Sequence, residues 1–273
     1  MRLTKHHGLG NDFLVLAVGG VAGPVEAVAW CDRRRGIGAD GLLLRGPAVP
    51  GTDVTMILLN ADGSRAEMSG NGIRCFAQAV AAERGLAPGT LTIATDAGVR
   101  TVEWWPTGDP ATIMATVAMG PVRTIGAPAA WSALGCDPLR PVVHLSLGNP
   151  HTVVAVDDVR QVDLAALGAE VPDVNLEIVQ AGPGTDAVTM RVHERGAGIT
   201  QACGTGACAA AFAAAQWGLV DRGVSEIIVH MDGGSAKVRL DTPAGEVTLV
   251  GPATHIAAVD ISRTDISHTD ISH

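Results

Sequence analysis

The stretch Cys203–Leu219 has the sequence CGTGACAAAFAAAQWGL, and the earlier stretch Ser69–Leu86 has the sequence SGNGIRCFAQAVAAERGL. Each begins with a small thiol or hydroxyl side chain, followed by glycine, a polar residue, a second glycine and then an apolar run. Alanine favours helix, and a helix that is apolar on all sides is usually buried. The two stretches therefore predict two buried helices, over 72–84 and 206–217, each preceded by a glycine-rich turn.

The two turns belong to a longer internal repeat. They lie 134 residues apart, about half of the 273-residue chain. Gly10-Asn11 matches Gly148-Asn149, and Thr92–Gly98 matches Ile228–Gly234, in the same order and at nearly the same separation. Repeats of tens of residues build solenoids, whereas one repeat that spans half the chain favours two similar domains facing each other across a pseudo-two-fold axis.

The predicted fold class is α+β, with two pseudo-symmetric domains, each a curved, mostly antiparallel sheet wrapped around a central helix. We expect the first domain over 1–119 and the second over 120–251, with a last strand at 252–261 that returns to the first. Residues 262–273 contain Thr-Asp-Ile-Ser-His twice and suggest a disordered tail or an expression scar. Another helix is expected over 25–34, and short apolar or β-branched runs predict strands at 13–18, 42–45, 54–59, 91–95, 99–104, 113–118, 142–147, 152–156, 175–180, 187–193, 226–230, 236–240 and 246–250.

Composition excludes several functional classes. A net charge of −9 argues against a nucleic-acid partner. No apolar run is long enough to span a membrane, and the first residues lack the core of a signal peptide. The five cysteines, an odd number without a CxxC pair, argue for reduced thiols, and the nine histidines show no metal-binding spacing. We therefore expect a soluble, cytoplasmic protein with no membrane partner and no bound metal.

The chemistry of the two turns follows from their place before a helix. A helix N-terminus has unpaired backbone N–H groups and a partial positive charge, so it attracts carboxylates. It also lowers the pKa of a cysteine placed there, which would favour the thiolate of Cys203. Alternatively, Cys203 is a buried, inert thiol and its glycines only form a turn. The matching turn at Ser69 favours the functional interpretation.

Other candidate residues allow two interpretations each. Asn60, in Asn60–Ser64, is either a turn residue or a ligand-binding amide. Glu194 and Arg195 form either a surface ion pair or a grip on the two charges of an amino acid, because arginine binds carboxylates bidentately. The segment Gly36–Gly41 matches GxGxxG but precedes a strand rather than a helix, which makes a dinucleotide site a weak interpretation.

Taken together, these motifs resemble the diaminopimelate epimerase family. The resemblance covers the chain up to about residue 260. It implies two pseudo-symmetric domains with an amino-acid substrate between them. It also implies cofactor-independent interconversion of LL- and meso-diaminopimelate in lysine and peptidoglycan synthesis. The matching stretches are Gly8–Phe13, Asp32-Arg33, Gly36–Gly41, Asn60–Ser64, Met68–Cys75, Gly148–His151 and Glu194–Cys208.

The resemblance also implies residue roles. Two catalytic side chains, at positions 69 and 203, would remove and return the α-proton from opposite faces. Backbone N–H groups of Gly70, Asn71, Gly204 and Thr205 would hold the carboxylate at the reacting carbon. His151 would lie near the site, with a less defined role. The end of the substrate that does not react would be bound by Asn11, Asn60, Asn149, Asn175, Glu194 and Arg195.

The sequence departs from the family at position 69, where Ser69 stands in place of the usual first cysteine. An alcohol is a far weaker acid than a thiol and is rarely ionised. Cys75 lies six residues further on, about 9 Å along a helix axis, so it does not replace Ser69 in place. Three explanations remain: a natural serine/cysteine pair, an engineered Cys→Ser form, or a relative with a one-base isomerase or a different racemase activity.

Three functions are thus compatible with the sequence. The first is a diaminopimelate epimerase; the second is a related amino-acid racemase or one-base isomerase; the third is a non-catalytic amino-acid-binding protein that keeps the cleft. The retained asparagines and Glu194-Arg195 favour the first, because they suit a substrate with a second amino-acid end. Homodimers are the commonest symmetric assembly, so we expect one.

Overall fold

The structure is a computed structural model, and it describes residues 1–241 and 245–261. The predicted tail, 262–273, lies outside the described residues. The described residues form four α-helices and one 3₁₀ turn, Trp131–Leu134. The α-helices are α1 (Pro24–Cys31), α2 (Gly70–Arg84), α3 (Leu164–Glu170) and α4 (Gly204–Trp217).

The two buried helices that the sequence predicts are confirmed as α2 and α4. Both end at a glycine in the left-handed conformation, Gly85 with φ 62° and Gly218 with φ 71°, which suits the only residue type without a Cβ. Both begin two residues earlier than predicted, because Ser69 and Cys203 act as the N-caps.

The strands of the described residues form one connected sheet system. They are β1 (Arg2–Gly8), β2 (Asn11–Leu16), β3 (Gly41–Arg45), β4 (Val54–Asn60), β5 (Arg65–Ala66), β6 (Gly89–Thr95), β7 (Gly98–Pro106), β8 (Thr112–Pro121), β9 (Arg123–Thr124), β10 (Val142–Ser146), β11 (Pro150–Ala155), β12 (Asn175–Ala181), β13 (Ala187–Glu194), β14 (Gly198–Thr200), β15 (Glu226–Met231), β16 (Gly234–Asp241) and β17 (Glu246–Asp260).

The strand pairing repeats itself, which confirms the predicted pseudo-symmetry. Strands β2 and β3 pair in parallel, β3 and β4 antiparallel, and β4 and β6 in parallel. The same alternation holds for β11 with β12, β12 with β13, and β13 with β15. Antiparallel pairs β6–β7–β8 and β15–β16–β17 complete each set. We call β1–β8 with α2 the first repeat, and β10–β17 with α4 the second repeat.

One long strand links the repeats, and this link was not predicted from the sequence. The predicted strands 246–250 and 252–261 form a single strand, β17, which pairs first with β16 and β8 and then with β1. Strand β1 itself was not predicted, because its sequence, RLTKHHG, is mostly polar. It is nevertheless held between β2 and β17, with Leu3 in the core.

The core places α2 and α4 at the centre of their repeats. Buried residues of both helices belong to one continuous hydrophobic cluster, in which the alanines of α4 let the surrounding strands approach closely. Among residues 1–241 and 245–261, no helix has the length and apolar character needed to cross a bilayer. The two helix starts meet at the junction of the repeats, where the candidate site lies.

Candidate active site

Ser69 and Cys203 occupy equivalent positions at the two helix starts. Oγ of Ser69 accepts a hydrogen bond from the Gly72 N–H at 3.0 Å, and Sγ of Cys203 accepts one from the Gly206 N–H at 3.4 Å. Both residues have extended backbones, as N-cap residues do. Each side chain therefore lies at the positive end of a helix dipole.

The two helix starts touch through glycine. A Cβ added at Gly204 would lie 2.8 Å from Cα of Gly70, and a Cβ added at Gly70 would lie 3.0 Å from Cα of Gly204. Backbone atoms cannot move aside as a flexible side chain can, so neither position accepts a larger residue without a shift of the helix starts. This contact brings the unpaired N–H groups of both helices into one region.

We expect Gly204→Ala to damage both stability and turnover. The added methyl group would push α4 away from Gly70, lowering the free energy of unfolding by about 1–3 kcal/mol. Displacing the N–H groups by even 1 Å is expected to lower turnover about 100-fold. Thermal unfolding and steady-state kinetics measure the two effects. Gly126→Ala is the control, because a Cβ there meets no atom within 4 Å; equal behaviour of the two variants would contradict the glycine argument.

Asn71 ties the two turns together. Its side-chain Nδ2 donates to the Ala202 carbonyl at 2.9 Å and to Oδ1 of Asn11 at 3.1 Å. Ala202 directly precedes Cys203, so a first-repeat side chain fixes the second-repeat turn. Asn11 also donates to Asp40, at 2.7 Å. Asn71 and Asn11 are buried and Asp40 is partly buried, which makes the junction a fixed polar network rather than an open surface.

A small cavity opens between the repeats beside this junction. Its volume is about 50 Å³. Cys203 and Thr205 do not line this cavity and are buried, with 4% and 1% of their surface exposed. The cavity wall also contains Glu67, Asp40 and Thr200, which were not predicted as site residues. Seven predicted site residues line the cavity: Asn11, Asn60, Ser69, Asn149, Asn175, Glu194 and Arg195.

An ion pair crosses this cavity from one repeat to the other. Nη2 of Arg195 lies 2.7 Å from Oε2 of Glu67. The Arg195 backbone N–H donates to Oδ1 of Asn175 at 3.0 Å, which sets the start of the arginine side chain. Glu67 lies two residues before Ser69. This proximity is the feature of the sequence that could have indicated Glu67 as a site residue.

Glu194 lies beside the thiol of Cys203. Its carboxylate accepts a hydrogen bond from Thr200, and burial raises its pKa against the lowering effect of Thr200 and of the nearby Cys203 thiol. Glu194 was expected at the far end of the substrate, and nothing in the sequence indicated that it would lie beside Cys203. A carboxylate with a raised pKa next to a thiol can share its proton.

The expectation that the helix N-terminus lowers the pKa of Cys203 is wrong in sign. Burial raises the pKa of this thiol well above its usual value, and the negative charges of Glu194 and Glu177 raise it further. The hydrogen bonds from Thr205 and Gly206 act in the opposite direction but are outweighed. Cys203 is therefore a protonated thiol at rest, and it needs an adjacent acceptor before it can act as a base.

His151 is part of a buried hydrogen-bonded chain that ends at Cys203, and it does not line the cavity. Its Nδ1 lies 2.6 Å from Oε1 of Glu177, and its Nε2 donates to Oδ1 of Asn149 at 3.0 Å. Nδ2 of Asn149 donates to Oγ1 of Thr205 at 3.2 Å, and that hydroxyl lies 3.4 Å from Sγ of Cys203. The two donors of fixed direction, Nε2 of His151 and Nδ2 of Asn149, both face the Cys203 side of the chain, and either atom of the Thr205–Cys203 contact can donate.

The remaining cysteines of α2 and α4 do not contribute a second thiol. Cys75 and Cys208 are fully buried, and burial raises the pKa of each to about 12. Cys75 therefore does not replace Ser69. This agrees with the expectation from its distance along the helix axis. Ser69 is the side chain that the first repeat presents at this position.

Comparison with known proteins decides the family. The diaminopimelate epimerase family model matches residues 3–125 and 143–256. The chain belongs to the diaminopimelate epimerase family. A diaminopimelate epimerase of Bacteroides thetaiotaomicron is 38% identical over 94% of this chain and 96% of its own length. A diaminopimelate epimerase of Synechocystis is 37% identical over 94% of this chain and 97% of its own length.

Solved structures share the fold of this epimerase family member at much lower identity. A hydroxyproline epimerase from Agrobacterium vitis has a TM-score of 0.70 and 17% identity, covering 96% of this chain and 90% of the other. A protein from Pseudomonas aeruginosa described as a predicted epimerase has a TM-score of 0.72 and 15% identity, covering 95% of this chain and 98% of the other. At these identities the likeness concerns the fold alone.

Proposed function

We propose that this protein inverts one α-carbon of LL-diaminopimelate to give meso-diaminopimelate, by two-base proton transfer without an organic cofactor. The observation that carries the proposal is the pairing of two equivalent N-cap side chains, Ser69 and Cys203, across one junction of abutting helix starts. Inversion needs a proton removed from one face and another returned to the opposite face. Two pseudo-symmetric groups on either side of one bound carbon supply that geometry.

The reacting end of the substrate is held by the helix starts in this proposal. Backbone N–H groups at Gly70-Asn71 and Gly204-Thr205 bind its carboxylate. When the Cα–H bond breaks, the proton moves to the base, and the electron pair enters the bond between Cα and the carboxylate carbon. The carboxylate then carries additional negative charge, which the N–H groups and helix dipoles stabilise.

The distal end of the substrate binds in the cavity. Arg195 takes its carboxylate, and the amides of Asn11, Asn60, Asn149 and Asn175 supply further hydrogen bonds. Arg195 is paired with Glu67 across the cavity at 2.7 Å. The cavity of about 50 Å³ is far smaller than the roughly 300–1,000 Å³ that is typical of small-molecule sites. We therefore infer that the repeats separate to admit substrate and that the Glu67–Arg195 contact changes as they do.

Cys203 is the stronger of the two bases in this proposal. Glu194 takes the thiol proton, and the resulting thiolate removes the α-proton. The hydrogen bonds from Thr205 and the Gly206 N–H hold the thiolate in place. Because burial disfavours both the thiolate and the carboxylate, one proton shared between Cys203 and Glu194 is the favoured state of the pair.

Ser69 returns the proton on the opposite face. Within the described residues its oxygen accepts the Gly72 hydrogen bond, and its O–H makes no bond to protein, which leaves that donor free to face the cavity. Donation leaves an alkoxide, so a water must resupply the proton at once. This demand on water makes the Ser69 half-reaction the slow one.

Ser69 also favours a second candidate, a binding protein that keeps the cleft and has lost catalysis. Incubation of the purified chain with LL-diaminopimelate under reducing conditions, with a chelator and without added pyridoxal phosphate, separates the two. Chromatographic separation of the isomers should show meso product that accumulates in proportion to protein concentration. Ligand-induced thermal stabilisation without any meso product would contradict the epimerase proposal and favour the binding protein.

Replacing Glu194 by Gln should separate thiol reactivity from turnover. Loss of the carboxylate charge lowers the pKa of Cys203, so alkylation of Cys203 by iodoacetamide at pH 8 should become faster. Turnover should fall about 10²–10⁴-fold, because the thiol loses its proton acceptor. Mass spectrometry of the Cys203 peptide measures alkylation, and the exposed Glu103→Gln variant is the control. Slower alkylation in Glu194→Gln would contradict the assigned contact.

We further propose that the protein works in the cytoplasm as a homodimer. Two-fold dimers are the commonest closed assembly of one chain, which supports the homodimer. The proposed substrate is a small charged biosynthetic metabolite, which supports the cytoplasm. Light scattering coupled to size-exclusion chromatography, over a tenfold range of protein concentration, should give twice the 27.9 kDa chain mass. A single-chain mass throughout that range would contradict the dimer.

A further inference from the structure

Arg74 is a fully buried cation without an anionic partner. It lies in the second turn of α2 with 0% of its surface exposed. No carboxylate within residues 1–241 and 245–261 forms an ion pair with it, whereas seven other arginines of these residues each form one with Asp or Glu. Burial lowers its pKa to about 10, so the guanidinium is still charged at neutral pH. An unpaired buried charge is costly, which requires an explanation.

Three neutral acceptors hold this guanidinium directly behind the helix starts. Nη1 donates to the Gly70 carbonyl at 2.9 Å, Nη2 to Oδ1 of Asn71 at 2.6 Å, and Nε to the Pro252 carbonyl at 3.1 Å. Through the Asn71 amide, which donates onwards to the Ala202 carbonyl, the cation is two hydrogen bonds from the backbone of the Cys203 turn. One positive charge thus lies behind both turns.

The fold keeps space for this cation. A Cβ added at Gly8 would lie 3.1 Å from Nη2 of Arg74, and a Cβ added at Gly251 would lie 3.0 Å from the same atom. The equivalent position of the second repeat is Cys208, which is a buried neutral thiol. The pseudo-symmetry is therefore broken at this position, and the junction receives a single charge.

We propose that Arg74 is the buried counter-charge for the carboxylate at the reacting carbon, a positioning residue that acts through Asn71 and the two helix starts. This inference rests on the proposed function. When the α-proton leaves, the carboxylate gains negative charge in a water-poor junction, where a fixed cation nearby stabilises it more than it would in water. The missing anion is supplied by the substrate, so the charge of Arg74 is compensated only in the complex.

Two replacements separate charge from hydrogen bonding. Arg74→Met keeps an apolar chain and removes the charge, whereas Arg74→Lys keeps the charge and loses the planar fork of donors. Arg74→Met removes three hydrogen bonds but also removes a buried charge that has no ionic partner, and because these two effects oppose each other the variant is expected to fold. If thermal unfolding shows that it does not, Arg74→Gln provides the neutral variant.

Alkylation of Cys203 by two reagents reports the charge without needing turnover. Iodoacetate carries a carboxylate and iodoacetamide is neutral, while both react with the same thiolate. Mass spectrometry of the Cys203 peptide gives the rate with iodoacetate divided by the rate with iodoacetamide. Changes in the pKa of the thiol or in its accessibility affect both rates equally and so cancel in this ratio. We expect this ratio to fall at least fivefold in Arg74→Met or Arg74→Gln, and to stay within twofold of the unsubstituted protein in Arg74→Lys.

A purely structural role predicts a different pattern. It would change both alkylation rates together and leave their ratio constant, or it would damage Arg74→Lys as much as the neutral variant. Either result overturns the proposal. Failure of the proposed function is distinguishable, because a protein that never forms meso product can still show the ratio change, and an active epimerase can fail to show it.

Discussion

Replacing Cys203 by Ala should abolish exchange of the substrate α-proton with solvent. The variant loses the only thiol among the described residues that lies at a helix start beside a carboxylate, and Ser69 alone is too weak a base to remove so weakly acidic a proton. We expect turnover to fall at least 10³-fold, at or beyond the middle of the range for loss of a general base. Proton NMR in D2O, following loss of the α-proton signal, measures this directly.

The same variant should remain folded and bind substrate. The helix start loses one weak sulfur acceptor, and such a loss costs about 1 kcal/mol or less. Cys208→Ala is the matched control, because it removes a buried thiol of the same helix that lies away from the cavity. Near-normal α-proton exchange in Cys203→Ala would disprove the two-base proposal, and an equal loss in Cys208→Ala would show that the effect comes from helix packing.

Replacing Ser69 by Cys should raise the rate of epimerisation. A thiol at this N-cap ionises far more readily than the alcohol, and as a proton donor it leaves a stable thiolate rather than an alkoxide that water must rescue. We expect a gain of about 100-fold in turnover, the lower end of the general acid–base range. Steady-state formation of meso product, assayed in both directions, is the measurement.

An exposed serine serves as the control for this gain. Ser132→Cys adds a surface thiol in the 3₁₀ turn, away from the junction, and should leave the rate unchanged. The double variant Ser69→Cys, Cys203→Ala should lose the gain, because one base cannot invert the centre. An unchanged or lower rate in Ser69→Cys would mean that the site is already adapted to serine.

Much of the fold could be predicted because the repeat is local in sequence. Each glycine-rich turn followed by an apolar run predicts a capped, buried helix, and the constant separation of the copies predicts pseudo-symmetry. The polar strand β1 and the continuity of β17 could not be predicted, because they depend on pairing between distant parts of the chain. The domain limits at 119 and 251 stay predictions.

The site could be predicted as a set of residues but not in its electrostatics. Ser69, Gly70 and Asn71 are neighbours in sequence, and residue chemistry together with the family resemblance indicated Glu194 and Arg195. The raised pKa of Cys203 depends on burial and on carboxylates from two other strands, so the turn alone gave the wrong sign. For the same reason, no local pattern indicated that Arg74 would lack an anionic partner.

The first measurement is the reaction of LL-diaminopimelate with the protein in D2O, following deuterium in the recovered substrate and in the meso product separately. Two-base inversion by Cys203 and Ser69 predicts that the first meso product carries deuterium at the inverted carbon, while recovered LL-substrate keeps its α-proton. Deuterium in recovered LL-substrate without meso product would contradict it, because one base would then act from one face only.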